Sequence, residues 1–86
     1  MSTYRPLDCD LYDYLELACL HGYRLQIELM EGASFVADAL DTRTAPNKEE
    51  FLLLQAEDGQ REVRLDQLRA ITPLDPGAHF GRIELA

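Results

Sequence analysis

The chain has 86 residues, enough for one domain built on one modest hydrophobic core. Apolar residues are 47% of it and charged residues 28%, which fits a folded globular chain and argues against intrinsic disorder. Sixteen Asp and Glu against eight Lys and Arg leave a formal net charge of −8. That charge disfavours direct binding to nucleic acid or to an anionic membrane, and makes a basic protein surface the favoured partner.

No apolar segment follows a basic start, so no secretory signal is expected. The longest aliphatic run, Leu52 to Leu54 extended by Phe51, is far short of the ~20 residues of a membrane span. Two cysteines, Cys9 and Cys19, are too few for a secreted disulfide framework. A reduced, cytoplasmic protein is expected.

In chain order, residues 1–8 read as an extended lead-in, with Pro6 biasing Arg5 away from helix. A helix over 9–22 follows. It starts at Asp8 or Asp10; with Asp10 as N-cap, Asp13 stands where a capping box has its acid, and Gly22 is the C-terminal stop. Leu11, Tyr14, Leu15, Ala18 and Cys19 share one side at helical spacing. Asp13, Glu16, Leu17 and Leu20 lie toward the other. Two leucines among acids are unusual for a solvent face, so Leu17 and Leu20 are expected under a second element or in a contact site.

From Tyr23 the period changes to two. Tyr23, Leu25, Ile27 and Leu29 alternate with Arg24, Gln26 and Glu28, a half-buried strand. Glu31-Gly32 turns it into an antiparallel partner over Ala33–Asp41. Thr42–Lys48, with Pro46-Asn47, reads as a loop. Glu50–Glu57 is a third strand, Asp58-Gly59 a hairpin signal and Arg61–Leu65 a fourth strand. Asp66-Gln67-Leu68 reads as one helical turn. Leu68–Pro73 and Phe80–Leu85 close the chain around the Asp75-Pro76-Gly77 turn. Short strands of even spacing favour a closed sheet, because closure removes exposed edges. The expected fold is α+β and mostly β. An N-terminal helix caps a small, five-stranded, strongly bent Sm-like barrel over 23–86.

Cys9, Cys19 and His21 lack the paired short spacings of a zinc site, and Asp8–Asp13 lacks the glycine and terminal Glu of a calcium loop. No metal or other cofactor is expected. No nucleophile elbow, phosphate loop or triad-like context surrounds Ser2, Ser34, His21 or His79, so no catalytic residue is assigned and the protein is not read as an enzyme. The acids Asp8, Asp10, Asp13 and Glu16 are different. No Lys or Arg lies between Arg5 and Arg24, and the acids interleave with Tyr12, Tyr14, Leu17 and Leu20. A solvated helix face would account for the charges alone. The aromatic and aliphatic neighbours suit a protein interface steered toward a basic partner.

The stretch from Tyr4 to Cys19, with Tyr4, Pro6, Leu7, Cys9-Asp10, Tyr12-Asp13 and Leu15-Glu16-Leu17-Ala18-Cys19, resembles the opening of the Rho-binding antiterminator family, the Rof or YaeO-like proteins. Leu25–Leu29 with its Glu31-Gly32 turn, and Arg64 to Leu68, resemble later parts of the family. The resemblance implies an N-terminal helix on an Sm-like barrel that binds transcription termination factor Rho. It implies that the N-terminal RNA-binding domain of Rho is blocked, which suppresses termination. Carried over position by position, it implies that Cys9, Asp10, Tyr12, Asp13 and Glu16 contact Rho, with Asn47 and Lys48 in the later loop as secondary contacts. Leu11 and Tyr14 fall at variable positions of the pattern, which points to a more apolar contact here. The free protein is expected to be a monomer. The competing reading is an Sm-like RNA-binding module, which would need a basic patch that eight scattered cations do not supply.

Overall fold

The computed structural model describes residues 7–86, so the Tyr4-Arg5-Pro6 segment and most of the expected lead-in lie outside the described residues. One helix, α1 (Cys9–His21), precedes six strands: β1 (Arg24–Leu29), β2 (Ser34–Thr44), β3 (Glu50–Ala56), β4 (Gly59–Arg64), β5 (Leu68–Pro73) and β6 (Ile83–Glu84). A single 3-10 turn, Leu65–Gln67, joins β4 to β5 where one helical turn is expected.

The helix takes the earlier of the two starts that its acids offer. Asp8, not Asp10, is the N-cap residue, and its carbonyl accepts the Tyr12 N–H at 2.9 Å without a side-chain cap. Asp10 therefore lies in the first turn, where the helix dipole favours it, and Asp13 lies beyond capping-box reach. The C-terminus follows the glycine rule. Gly22 takes φ +61, its N–H reaches the Cys19 carbonyl at 3.2 Å, and the Tyr23 N–H reaches Ala18 at 3.0 Å. This is a Schellman motif, and it turns the chain directly into β1.

All strand pairs are antiparallel, in the order β4-β3-β2-β1-β5-β6. The alternation places Leu25 and Ile27 of β1, Leu52 and Leu54 of β3, Val63 of β4 and Ile71 of β5 in one core with Leu15 and Ala18 of α1. Helix α1 packs chiefly on β2, whose buried residues are the small Ala37 and Ala39.

The mostly-β architecture with one leading helix is as expected, and four details differ. Six strands form instead of five, because Leu68–Pro73 and the closing segment each pair as a strand, the latter only through Ile83 and Glu84. The sheet is barrel-like but not closed: β4 and β6 remain its two edges. Charged Arg61 and Glu62 on β4 and the two-residue length of β6 blunt these edges without closure. Further, β2 runs on through Thr44, where a loop is expected from Thr42. Cross-strand contacts outweigh the local turn signal there. The Arg43 guanidinium lies 4.8 Å from the Phe51 ring centroid on β3 and binds both Glu62 carboxylate oxygens on β4 at 2.8 Å. The hairpin predicted at Asp58-Gly59 forms one residue earlier, with Gly59 at φ +131 opening β4 opposite Ala56.

Leu15 is fully buried under the helix. Leu15→Ala is expected to destabilise the protein by about 2–5 kcal/mol, read by denaturant unfolding. A loss under about 1 kcal/mol would mean that α1 is not anchored through this residue.

Candidate protein-binding surface

With Leu15 and Ala18 turned into the core, the helix presents a second face alongside the end of β2 and the start of β3. A groove of about 380 Å³ runs there, lined by Leu7, Cys9, Tyr12, Asp13, Glu16, Thr44 and Glu50. Four of the residues singled out from the sequence, Cys9, Tyr12, Asp13 and Glu16, therefore share one concave surface. Asp10 is exposed in the first turn but does not line the groove. Asn47 and Lys48 do not line it either. They sit in the turn that joins two groove residues, Thr44 and Glu50. That turn is stiff: Asn47 Oδ1 accepts the Glu49 N–H at 3.1 Å, and Lys48 takes φ +71.

Tyr12 has two roles at this site. Its ring is half-buried against the core, and its hydroxyl donates to Thr42 Oγ1 at 3.1 Å. The bond ties the helix face to β2 and fixes the floor of the groove. Glu50 was not singled out from the sequence, where it reads only as the start of a strand. The adjacent acid Glu49 is bound to Arg64 at 3.2 Å, whereas among the described residues Asp13, Glu16 and Glu50 make no ion pair.

Five of the seven cations among the described residues are engaged in ion pairs, and Lys48 and Arg69 are not. Arg24 pairs with Asp38, Arg43 with Glu62, Arg61 with Asp58, Arg64 with Glu49 and Asp66, and Arg82 with Glu28 and Glu84. These pairs leave the negative charge beside α1 uncompensated, so the groove presents an acidic surface to an approaching partner.

The two thiols differ. Cys9 is exposed at the helix start. Burial, reinforced by the carboxylates of Asp41 and Glu16, pushes the Cys19 thiol up to about 11. His21 stacks on Tyr23 with ring centroids 5.2 Å apart and lies 5.0 Å from the His79 ring. Among the described residues no group of three or more His, Cys, Asp and Glu is placed to hold a metal ion. With iodoacetamide at pH 8, Cys9 is expected to alkylate first and Cys19 at least about tenfold more slowly, read by peptide mass spectrometry. Equal labelling of both would show that the helix does not shield Cys19.

Three comparisons bear on this surface. Residues 6–85 match the family model described as modulator of Rho-dependent transcription termination (ROF). The chain is 41% identical over 71 residues to Protein rof of Escherichia coli (strain K12), covering 83% of each chain, and to the same degree to Protein rof of Shigella flexneri. Its fold superposes on a solved structure of YaeO bound to magnesium from Vibrio cholerae O395. That match has a TM-score of 0.79 and 31% identity, covering 87% of this chain and 97% of that one. The acid groove is thus carried on a chain that belongs to the family of modulators of Rho-dependent transcription termination.

Proposed function

We propose that this protein is an antiterminator that docks its acidic helix face on the N-terminal domain of Rho and blocks the primary RNA-binding surface there. A surface that captures single-stranded RNA combines a basic groove with exposed rings that stack bases. The observation that carries the reading is the groove itself. Asp13, Glu16 and Glu50 are unpaired acids around exposed Cys9 and the rim of Tyr12. Their carboxylates offer the charge that phosphates otherwise bring, and charge-assisted bonds to Arg or Lys are among the stronger hydrogen bonds. Asp10 beside the groove, and Asn47 and Lys48 in the turn between Thr44 and Glu50, extend the contact. The protein acts in the cytoplasm, as a monomer, without chemistry of its own.

The RNA-binding alternative fares worse on electrostatics. Five arginines are held in ion pairs, and the net charge is −8. Counterion release, which drives RNA binding, needs free cations arrayed on one surface.

Added to Rho carrying a fluorescent single-stranded RNA, the protein is expected to displace the oligonucleotide, read as a fall in anisotropy. RNA fully retained at saturating protein would overturn the reading. Asp13→Lys combined with Glu16→Lys should weaken Rho binding at least about tenfold, since two attractive contacts become repulsive. Each exposed change should move stability by no more than about 0.5 kcal/mol. The association rate of the unmodified protein should fall between about 50 and 300 mM salt. Unchanged Rho affinity in the folded double variant would remove the helix face from the interface.

A further inference from the structure

We propose that a second groove, at the C-terminal end of α1, is the apolar half of the same docking surface and receives exposed aromatic rings of the partner's RNA-binding surface. This inference rests on the reading of the acid groove as the Rho contact. The second groove has a volume of about 340 Å³ and is lined by Glu16, Cys19, Leu20, Leu40, Asp41 and Thr42. Glu16 belongs to both grooves, and the Tyr12–Thr42 hydrogen bond lies between them, so the two form one continuous strip along α1 and β2.

Two features expose leucine here. Leu20 stands on the last turn of α1, away from the buried Leu15 and Ala18, and is 79% exposed, the highest value among the exposed large apolar side chains. Leu40 stands at a β-bulge. Ala39 pairs with Leu54 and Asp41 with Leu53, so Leu40 is the extra residue of β2 and has no partner on β3. Leu40 follows the buried Ala39 on the outward phase of β2, and the bulge turns Asp41 outward after it, so Leu40 is 41% exposed and lines the groove with Leu20. Single exposed leucines are ordinary. Two leucines from different elements, facing one groove whose rims carry Glu16 and Asp41, are an amphipathic surface.

The chemistry selects the occupant. Glu16 and Asp41 make no ion pair among the described residues, so the rims call for cations. The Asp41 carboxylate accepts only the adjacent Thr42 N–H, at 2.8 Å. Between the rims, Leu20, Leu40 and the half-buried Cys19 offer a floor without charge, and the raised pKa of Cys19 keeps its thiol neutral. Cations flanking apolar rings are what a single-stranded RNA site presents, with the rings free once RNA is excluded. Leu20 and Leu40 would cover those rings while the acids engage the cations. This differs from mimicry of phosphate alone, because it accounts for the aliphatic side chains among the acids.

The test uses Leu20→Ser, Leu40→Ser and, as an exposed apolar control four residues earlier on β2 and outside both grooves, Val36→Ser. Binding to immobilised Rho hexamer is followed kinetically at 50 and 300 mM salt, with thermal melts and sedimentation of each free variant. Leu20→Ser is expected to speed dissociation about tenfold, leaving the salt dependence of association unchanged and the melting temperature near that of the parent. Leu40→Ser should act in the same direction and Val36→Ser should not. Parent-like dissociation of folded Leu20→Ser, alongside weakened binding of the Asp13/Glu16 charge reversal, would overturn the inference and leave the acid groove as the sole contact. If the parent fails to bind Rho at all, the functional reading falls first and this inference with it. A parent dimer that Leu20→Ser dissociates, with Rho binding unchanged, would assign the groove to a second copy of the chain and overturn the inference as well.

Discussion

The fold and its surface both depend on how α1 is seated on β2. A 13-residue helix is too short to persist alone in water, so its stability comes from the side it buries. Leu15 and Ala18 fill that side, and the small Ala37 and Ala39 on β2 let the helix approach the sheet closely. The Tyr12 hydroxyl, bonded to Thr42, then fixes the rotation of the helix about its own axis. Once that rotation is set, every fourth or third residue around the remaining arc has a determined outlook. Asp13 and Glu16 reach the groove at the end of β2, and Leu20 reaches the one beside the bulge. The seating of the helix is thus upstream of any contact the protein makes.

Charge distribution is the second constraint. Exposed ion pairs contribute little to stability, so the value of the arginine pairs lies elsewhere. Hydrogen bonding to the Arg43 guanidinium holds the Glu62 carboxyl below its ordinary range, and Arg82 does the same to Glu28. These pairs neutralise several acids on the sheet and leave those of α1, with Asp41 and Glu50 beside them, without ion pairs among the described residues.

Much of this was legible in the sequence, for identifiable reasons. Gly22 marked the helix end because only a left-handed cap residue closes it cheaply, and the alternation from Tyr23 to Leu29 marked β1 because its two faces differ in solvent contact. The motif from Cys9 to Glu16 identified side chains that do converge, because helical spacing alone puts Cys9, Tyr12, Asp13 and Glu16 on neighbouring turns. What was hidden depended on partners distant in the chain. Pro46-Asn47 gave a strong local turn signal, yet Thr42 to Thr44 stayed in β2 because Leu52, Phe51 and Glu50 pair with them. Glu50 joined the site through that same pairing. The bulge at Leu40 left no trace in a run of alternating residues, and closure of the sheet could not be decided from strand count.

These constraints also separate what folds the protein from what it presents. Leu15 and Ala18 bear the helix, while Cys9, Asp13, Glu16 and Leu20 lie on positions that the core does not need. Tyr12 is the exception, because the same side chain anchors the helix and borders the groove. Changes at the outer positions can retune affinity without unfolding the chain, whereas a change at Tyr12 alters the geometry of all the others together. A surface built this way can vary its mixture of acid and aliphatic groups freely, provided that one tyrosine and two buried helix residues keep its orientation. Leu11 and Tyr14 fit that division: both are half-buried at the margin of the core, with Tyr14 packed edge-on against Phe80 at 5.1 Å. Their apolar character is therefore explained by packing, and the exposed aliphatic side chains beside the acids of α1 are Leu20 and Leu40.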